Sequence, residues 1–109
     1  MRGHILATRA ALLFATLVPV AVTSAAPPAN QITIKNFMFT PASLTVKPGT
    51  TVTWVNEDEE PHTVLSSSGL FRSHAIDTKE SFSYTFDKPG EYHFICTIHP
   101  QMMGKVIVQ

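Results

Sequence analysis

Apolar and polar residues alternate in short segments along most of the chain beyond residue 30. In an extended strand, successive side chains point to opposite faces, so a period of two predicts strands with one buried face. The clearest examples are Ile32 and Ile34, Leu44 and Val46, Val52 and Trp54, Phe82, Tyr84 and Phe86, and Tyr92, Phe94 and Cys96. No segment in this region shows a convincing apolar stripe of an amphipathic helix, so the pattern favours an all-β domain.

Turn sequences separate these segments. KPGT (residues 47–50) and DKPG (residues 87–90) each place Pro directly before Gly, which is typical of a tight turn between strands. The segment 66–77 is the least regular and is expected to be a connection. Roughly seven short strands in a domain of this size predict an antiparallel β-sandwich.

The first residues have the layout of a secretory signal. Arg2 and Arg9 precede an apolar run over residues 10–22, and the small residues Ser24, Ala25 and Ala26 follow it. The run is shorter than the ~20 residues that a membrane-spanning helix needs. We therefore expect residues 1–25 to be removed on export to the periplasm, leaving one domain over residues 26–109 with no membrane span.

Composition narrows the function classes. Removing Arg2 and Arg9 from the 8 basic residues leaves 6 against 8 acidic ones, with no basic patch, so nucleic-acid binding is not expected. The acidic run 57–60, just before His62, is either a solvated loop or a rim that steers a basic partner.

A single cysteine cannot form a disulfide within the domain, so a metal, a partner or close packing must stabilise it.

The C-terminal stretch CTIHPQMM places a thiol, an imidazole and thioethers close together. Two His and one Cys with a weak axial Met form the ligand set of electron-transfer copper sites. Cys96 ends a predicted strand, and the turn that follows can bring His99 and Met102 to the same point. His62, on a neighbouring strand, can supply the second imidazole. The sequence therefore predicts one mononuclear copper site formed by these four residues.

Other interpretations of the same residues stay open. Cys96 could be a small buried apolar residue, and His62 could be an ordinary loop histidine. Met103 competes with Met102 as the axial ligand. By alternation His93 points away from Cys96, and we expect it on the outer face.

His74 lies in the irregular connection, where we expect a solvated histidine. His4 belongs to the segment that the signal prediction removes.

PHTV (residues 61–64) followed by PGEYHFICTIHPQMMGKVIVQ (residues 89–109) resembles the small blue copper proteins, the cupredoxins. The resemblance is greatest to the amicyanin group, in which Met follows Cys by six residues; the plastocyanin and pseudoazurin groups have a longer interval. It covers nearly all of the predicted domain. It implies a cupredoxin-like Greek-key sandwich of seven to eight strands, with His62, Cys96, His99 and Met102 as ligands of one type-1 copper ion.

The resemblance also implies how the protein works. It would be a monomer that carries single electrons between redox proteins, such as a donor dehydrogenase or an acceptor c-type cytochrome. The edge of His99 would be the electron's exit, and Pro100, Gln101 and Met103 would help to form the docking surface.

Two positions depart from the family pattern. Ile98 stands where amicyanin-like loops have Pro, and Thr63 stands where the family usually has Asn. That Asn ties the two ligand loops together, and a Thr hydroxyl can do part of the same work.

Two other classes of function compete with electron transfer. A copper(I) carrier or storage protein would favour an exposed, Met-rich, open site, and Met103 and His74 keep this alternative open. An enzyme is not expected, because multicopper oxidases and copper nitrite reductases need further His clusters and domains, and a dinuclear copper domain needs two cysteines.

Overall fold

The computed structural model describes residues 3–4, 10–20 and 29–109, and these residues form eight strands and no helix. The strands are β1 (Gln31–Lys35), β2 (Met38–Thr40), β3 (Ser43–Val46), β4 (Thr50–Asn56), β5 (Leu65–Ser66), β6 (Ser81–Phe86), β7 (Gly90–Ile95) and β8 (Met103–Val108). Residues 10–20 have no regular secondary structure and are exposed. The predicted cleavage site near Ala25 lies outside the described residues.

The strands form two four-stranded sheets, which confirms the predicted all-β sandwich. One sheet has the order β2-β1-β4-β6 and the other the order β3-β8-β7-β5. Most neighbours are antiparallel as expected, but β1 runs parallel to β4 and β3 runs parallel to β8. The parallel pairs arise because the chain passes from the first sheet to the second between β2 and β3 and returns with β4.

The core lies between the sheets and consists of the alternating apolar residues that the sequence pattern identified. Trp54 on β4 is fully buried and packs edge-on against Phe94 on β7, with ring centroids 5.3 Å apart. Phe39 on β2 closes the same cluster, 4.8 Å from Phe94. The core therefore fixes the position of β7, and Cys96 directly follows the last residue of this strand.

Three connections meet at one end of the sandwich. They are the β1–β2 turn with Asn36 and Phe37, the loop after β4 that carries Asp58 and His62, and the β7–β8 loop over residues 96–102. In the part of the chain that the structure describes, no helix is long and apolar enough to cross a membrane.

Candidate metal centre

The β7–β8 loop is closed by two backbone hydrogen bonds. Cys96 N donates to Met102 O at 3.1 Å, and Met102 N donates to His99 O at 2.8 Å. These bonds place Cys96 and Met102 side by side where the loop begins and ends, with His99 in its middle part. Cys96 is fully buried and Met102 is 3% exposed, so both sulfur atoms face the interior.

His62 reaches the same place from the loop after β4. Its backbone pairs with Ile76 through hydrogen bonds of 3.1 and 2.7 Å, which anchor this segment across the irregular connection. The side chain is fully buried, and its Nδ1 lies 3.7 Å from Cys96 Sγ. Sequence positions 34 apart are thus brought into direct contact by the packing of the two sheets.

His99 lies at the surface end of this cluster. Its ring centroid is 5.4 Å from that of His62, and the side chain is half-buried. Phe37 covers both imidazoles, with its ring edge-on at 5.4 Å from His62 and 5.0 Å from His99. Phe37 therefore shields the two histidines from water on the side of the β1–β2 turn.

Asp58 contacts both the β1–β2 turn and the ring of His62. Its carboxylate accepts the backbone N–H of Asn36 at 2.7 Å and of Phe37 at 3.0 Å, and it lies 2.9 Å from His62 Nε2. Asn36 and Phe37 both have left-handed backbones, with φ of 53° and 58°, which is uncommon for residues other than Gly. One carboxylate thus fixes the strained turn that carries Phe37 and the orientation of His62.

The charge of Asp58 follows from these contacts. Burial alone raises the pKa of its carboxyl, but the hydrogen bonds from Phe37, Asn36 and His62 outweigh burial and hold that pKa below its ordinary value. Both interpretations of the acidic run are therefore wrong for Asp58, which is buried. Of its neighbours, Glu57 pairs with Lys79, whereas Glu59 and Glu60 are exposed.

The Cys96 sulfur accepts hydrogen bonds from Thr63. The Thr63 backbone N–H lies 3.4 Å from Sγ, and the hydroxyl lies 3.8 Å from it. The same hydroxyl accepts the N–H of Thr97 at 2.8 Å and shares a 2.7 Å hydrogen bond with the Thr97 hydroxyl. Thr63 thus joins the two ligand loops, the work expected of Asn in the family.

The donor atoms fit a copper ion. Because a carboxylate only accepts hydrogen bonds, Nε2 of His62 donates to Asp58, and a neutral imidazole so held presents the lone pair of Nδ1 to Cys96. Two ligands at about 2.3 Å for sulfur and 2.0–2.1 Å for nitrogen, the bond lengths known for zinc, stand roughly 3.6–3.8 Å apart around one ion. The observed 3.7 Å matches this spacing.

Among the described residues, no three His, Cys, Asp or Glu side chains already form a metal-binding cluster. The structure brings His62 and Cys96 into contact and places His99 and Met102 beside them, so the four-ligand set remains a prediction. Met103 is 64% exposed and Met102 is 3% exposed, so Met102 is the methionine that faces the interior.

The other histidines lie away from this cluster. As expected, His93 and His74 are exposed, beside Glu91 and Glu80 respectively.

Sequence reasoning missed three residues of the site. Asp58 stands in a run of acids that the sequence pattern treats as one loop, and Phe37 and Thr97 carry no sequence signal for a metal site. A carboxylate four residues before a candidate ligand histidine is a signal that could have identified Asp58, because histidine ligands commonly bond a carboxylate through their second nitrogen.

The chain is similar to known cupredoxin-like proteins. The family described as "Cupredoxin-like domain" matches residues 6–108. Amicyanin of Paracoccus versutus is 34% identical over 96 residues, which cover 84% of this chain and 73% of that protein.

Two solved structures have the same fold. A novel purple cupredoxin from Nitrosopumilus maritimus superposes with a TM-score of 0.68 at 33% identity, covering 72% of this chain and 98% of that one. The Cu(I) form of an amicyanin mutant superposes with a TM-score of 0.71 at 33% identity, covering 79% of this chain and 87% of that one.

Proposed function

The chain belongs to the cupredoxin-like domain family, and from this premise we propose that it is a periplasmic blue copper protein that carries single electrons between redox proteins. The proposed site is one mononuclear type-1 copper held by His62, Cys96, His99 and Met102. The observation that carries the proposal is the 3.7 Å approach of His62 Nδ1 to Cys96 Sγ in a fully buried setting.

The surrounding residues suit a site that changes little when an electron arrives. Copper held there supplies a one-electron couple between Cu(I) and Cu(II). Asp58 fixes the ring of His62, and Thr63 fixes the sulfur of Cys96 through its N–H. Because these contacts are largely buried and tie the loops to each other, the proposed ligands keep their places and little reorganisation accompanies the transfer.

His99 is the proposed route for the electron, because it alone among the four side chains is half-buried rather than buried. Exposed residues surround it, and Ile98 and Phe37 are 47% and 43% exposed. Pro100 and Gln101 are exposed beside them. A redox partner with a complementary apolar surface could dock here and approach His99 directly.

The periplasmic location rests on the signal-like first residues, and the partners are proposed as redox proteins by class alone. A copper(I) carrier is the alternative function. Full burial of Cys96 and His62 disfavours direct hand-over of the ion to a partner protein, because neither ligand is open to ligands of that partner. A catalytic role is not part of the proposal.

The test is the optical and paramagnetic resonance spectrum of the exported protein after addition of one equivalent of Cu(II). We expect an intense thiolate-to-copper band and a narrow hyperfine pattern, both lost reversibly on reduction with ascorbate. Cys96→Ser is the matched control and should abolish the band, because the thiolate is replaced by a hydroxyl. A wild-type protein that stays colourless and takes up only Cu(I) would support the carrier function instead.

A further inference from the structure

All methionines other than Met1 line one groove at the site end of the sandwich. The groove has a volume of about 230 Å³. Phe37 and Met38 lie on its β2 side, and Gln101, Met102 and Met103 lie on its loop side. The groove therefore connects the outer surface with Met102, the innermost of the three thioethers.

Two of the three methionines are exposed and the third is buried. Met38 is 57% exposed and Met103 is 64% exposed, whereas Met102 is 3% exposed. Cys96 and His62 are fully buried, and the groove runs from the surface to Met102, whose backbone is bonded to that of Cys96. The exposed side chains of Met38 and Met103 line its outer part, and the buried side chain of Met102 lies at its inner end.

We propose that Met38 and Met103 form an entry site for Cu(I), from which the ion passes to Met102 and so to the proposed copper site. Neutral thioethers are soft ligands, which favour Cu(I) over hard ions and bind weakly enough to release it. The inference rests on the proposed function, since it describes how the same site is loaded.

The transfer needs no redox partner. Copper stays Cu(I) throughout, and each move exchanges one ligand sulfur for another. The Cys96 thiol releases its proton to solvent when the ion arrives, because the thiolate is the binding form. His62 Nδ1 faces Cys96 and can bind the ion when it arrives.

An apolar docking surface is the competing role for these side chains. Leucine has nearly the volume of methionine and would serve docking equally well. Met38→Leu and Met103→Leu therefore preserve the apolar surface and remove only the sulfur, which makes the two roles separable.

The first experiment measures uptake of copper by the metal-free exported protein in stopped flow, under argon. Cu(I) is supplied as its acetonitrile complex and followed by competition with a coloured Cu(I) chelator, and Cu(II) is supplied as sulfate and followed by the thiolate band. In the double variant Met38→Leu/Met103→Leu we expect Cu(I) uptake to slow about tenfold. Cu(II) uptake and the final spectrum should match those of wild type.

Equal Cu(I) uptake rates in wild type and double variant would overturn the entry site. Slowing of Cu(I) and Cu(II) uptake alike would also overturn it, because it would show a general loss of access. The final Cu(II) spectrum of wild type tests the copper site itself, so failure of the proposed function is recognised separately.

A second measurement observes binding at the groove directly. Ag(I) is titrated into the Cu(I)-loaded wild-type protein labelled at the methionine methyl groups, with nuclear magnetic resonance as the readout. The methyl signals of Met38 and Met103 should shift together while that of Met102 stays in place. Unchanged signals of Met38 and Met103 in the presence of excess Ag(I) would contradict the proposal.

Discussion

The Nε2 atom of His62 lies 2.9 Å from Oδ2 of Asp58, and this contact orients the imidazole toward Cys96. The same carboxylate accepts two backbone N–H groups from the β1–β2 turn, which carries the ring of Phe37. A buried carboxylate with three donors thus joins the two loops that cover the site. Removing its charge should affect the fold and the candidate metal centre together.

Asp58→Asn should lower the free energy of unfolding of the metal-free domain by about 2–3 kcal/mol, because the amide places a donor against groups that already donate. Denaturant titration followed by fluorescence gives the value. Glu59→Gln is the matched control, since Glu59 is exposed, and should change stability by no more than about 0.5 kcal/mol. Equal losses in the two variants would show that the hydrogen bonds of Asp58 add no more to the free energy of unfolding than an exposed carboxylate does.

Thr63→Val should destabilise the domain more than Thr97→Val. The first substitution leaves the N–H of Thr97 without its acceptor, whereas the second removes only the hydroxyl pair and keeps the 2.8 Å bond from Thr97 N. We expect losses of about 1–2 kcal/mol for Thr63→Val and about 0.5–1 kcal/mol for Thr97→Val in denaturant titrations. Both variants lose the hydroxyl pair, so equal losses would show that the backbone bond from Thr97 N adds nothing to the joining of the loops.

Met102→Gln should keep the blue colour and lower the reduction potential, because a harder oxygen ligand favours Cu(II) over Cu(I). Met103→Gln is the matched control, as Met103 is largely exposed, and should change either property only slightly. Protein-film voltammetry of both variants gives the potentials. If Met103→Gln shows the larger change, Met103 is the axial ligand.

Trp54, the single tryptophan, should emit at short wavelength. It is fully buried, and its indole N–H has no hydrogen-bond partner among the described residues. Without a polar partner or solvent nearby, the surroundings of the excited indole reorient little before it emits, so the emission stays at short wavelength. Because the ring is buried, iodide should not quench this emission. The measurement is a steady-state emission spectrum with iodide titration. Emission at the wavelength of tryptophan in water would contradict the burial of this ring.

The sequence predicted the sandwich because side-chain alternation is a local property. Ile32 and Ile34 face the core from β1, as Val52 and Trp54 do from β4, in agreement with the pattern. The three-residue strand β2 escaped detection, since so short a segment shows no period. Parallel pairing of β1 with β4 also could not be predicted, because strand order depends on packing between distant segments.

Cys96, His99 and Met102 could be predicted as candidate ligands because their side-chain chemistry is rare and they lie close together in the sequence. His62 lies 34 positions before Cys96 and was a candidate only through its side-chain type and its place at a predicted strand.

The residues that support these ligands could not be predicted, because Asp58 and Phe37 are ordinary in type and act through non-local contacts. Asp58 lies in a run of acids that looks solvated, and only the left-handed turn at Phe37 brings two backbone donors to its carboxylate. Support of this kind is visible only in three dimensions.

Gly104→Ala should disturb the core directly below the candidate site. Gly104 on β8 is paired with Phe94 on β7, and the Phe94 ring lies across it. A Cβ atom at Gly104 would stand 2.6 Å from Cζ and 2.8 Å from Cε2 of that ring, and 3.0 Å from the carbonyl oxygen of Ala42. The ring cannot swing away, because Phe39 and Trp54 pack edge-on against it.

We therefore expect Gly104→Ala to cost about 1–3 kcal/mol of unfolding free energy in denaturant titrations, as overpacking typically does. The thiolate band should shift as well, since Cys96 follows Phe94 by two residues. Gly49→Ala is the control, because Gly49 has a left-handed backbone with φ of +87° and open space around an added methyl. This variant should lose stability through its backbone conformation and leave the thiolate band unchanged. Adding Phe94→Leu to Gly104→Ala should cost less than the sum of the two single losses, because the smaller side chain makes room for the methyl. Strictly additive losses would show that the ring and the added methyl do not collide.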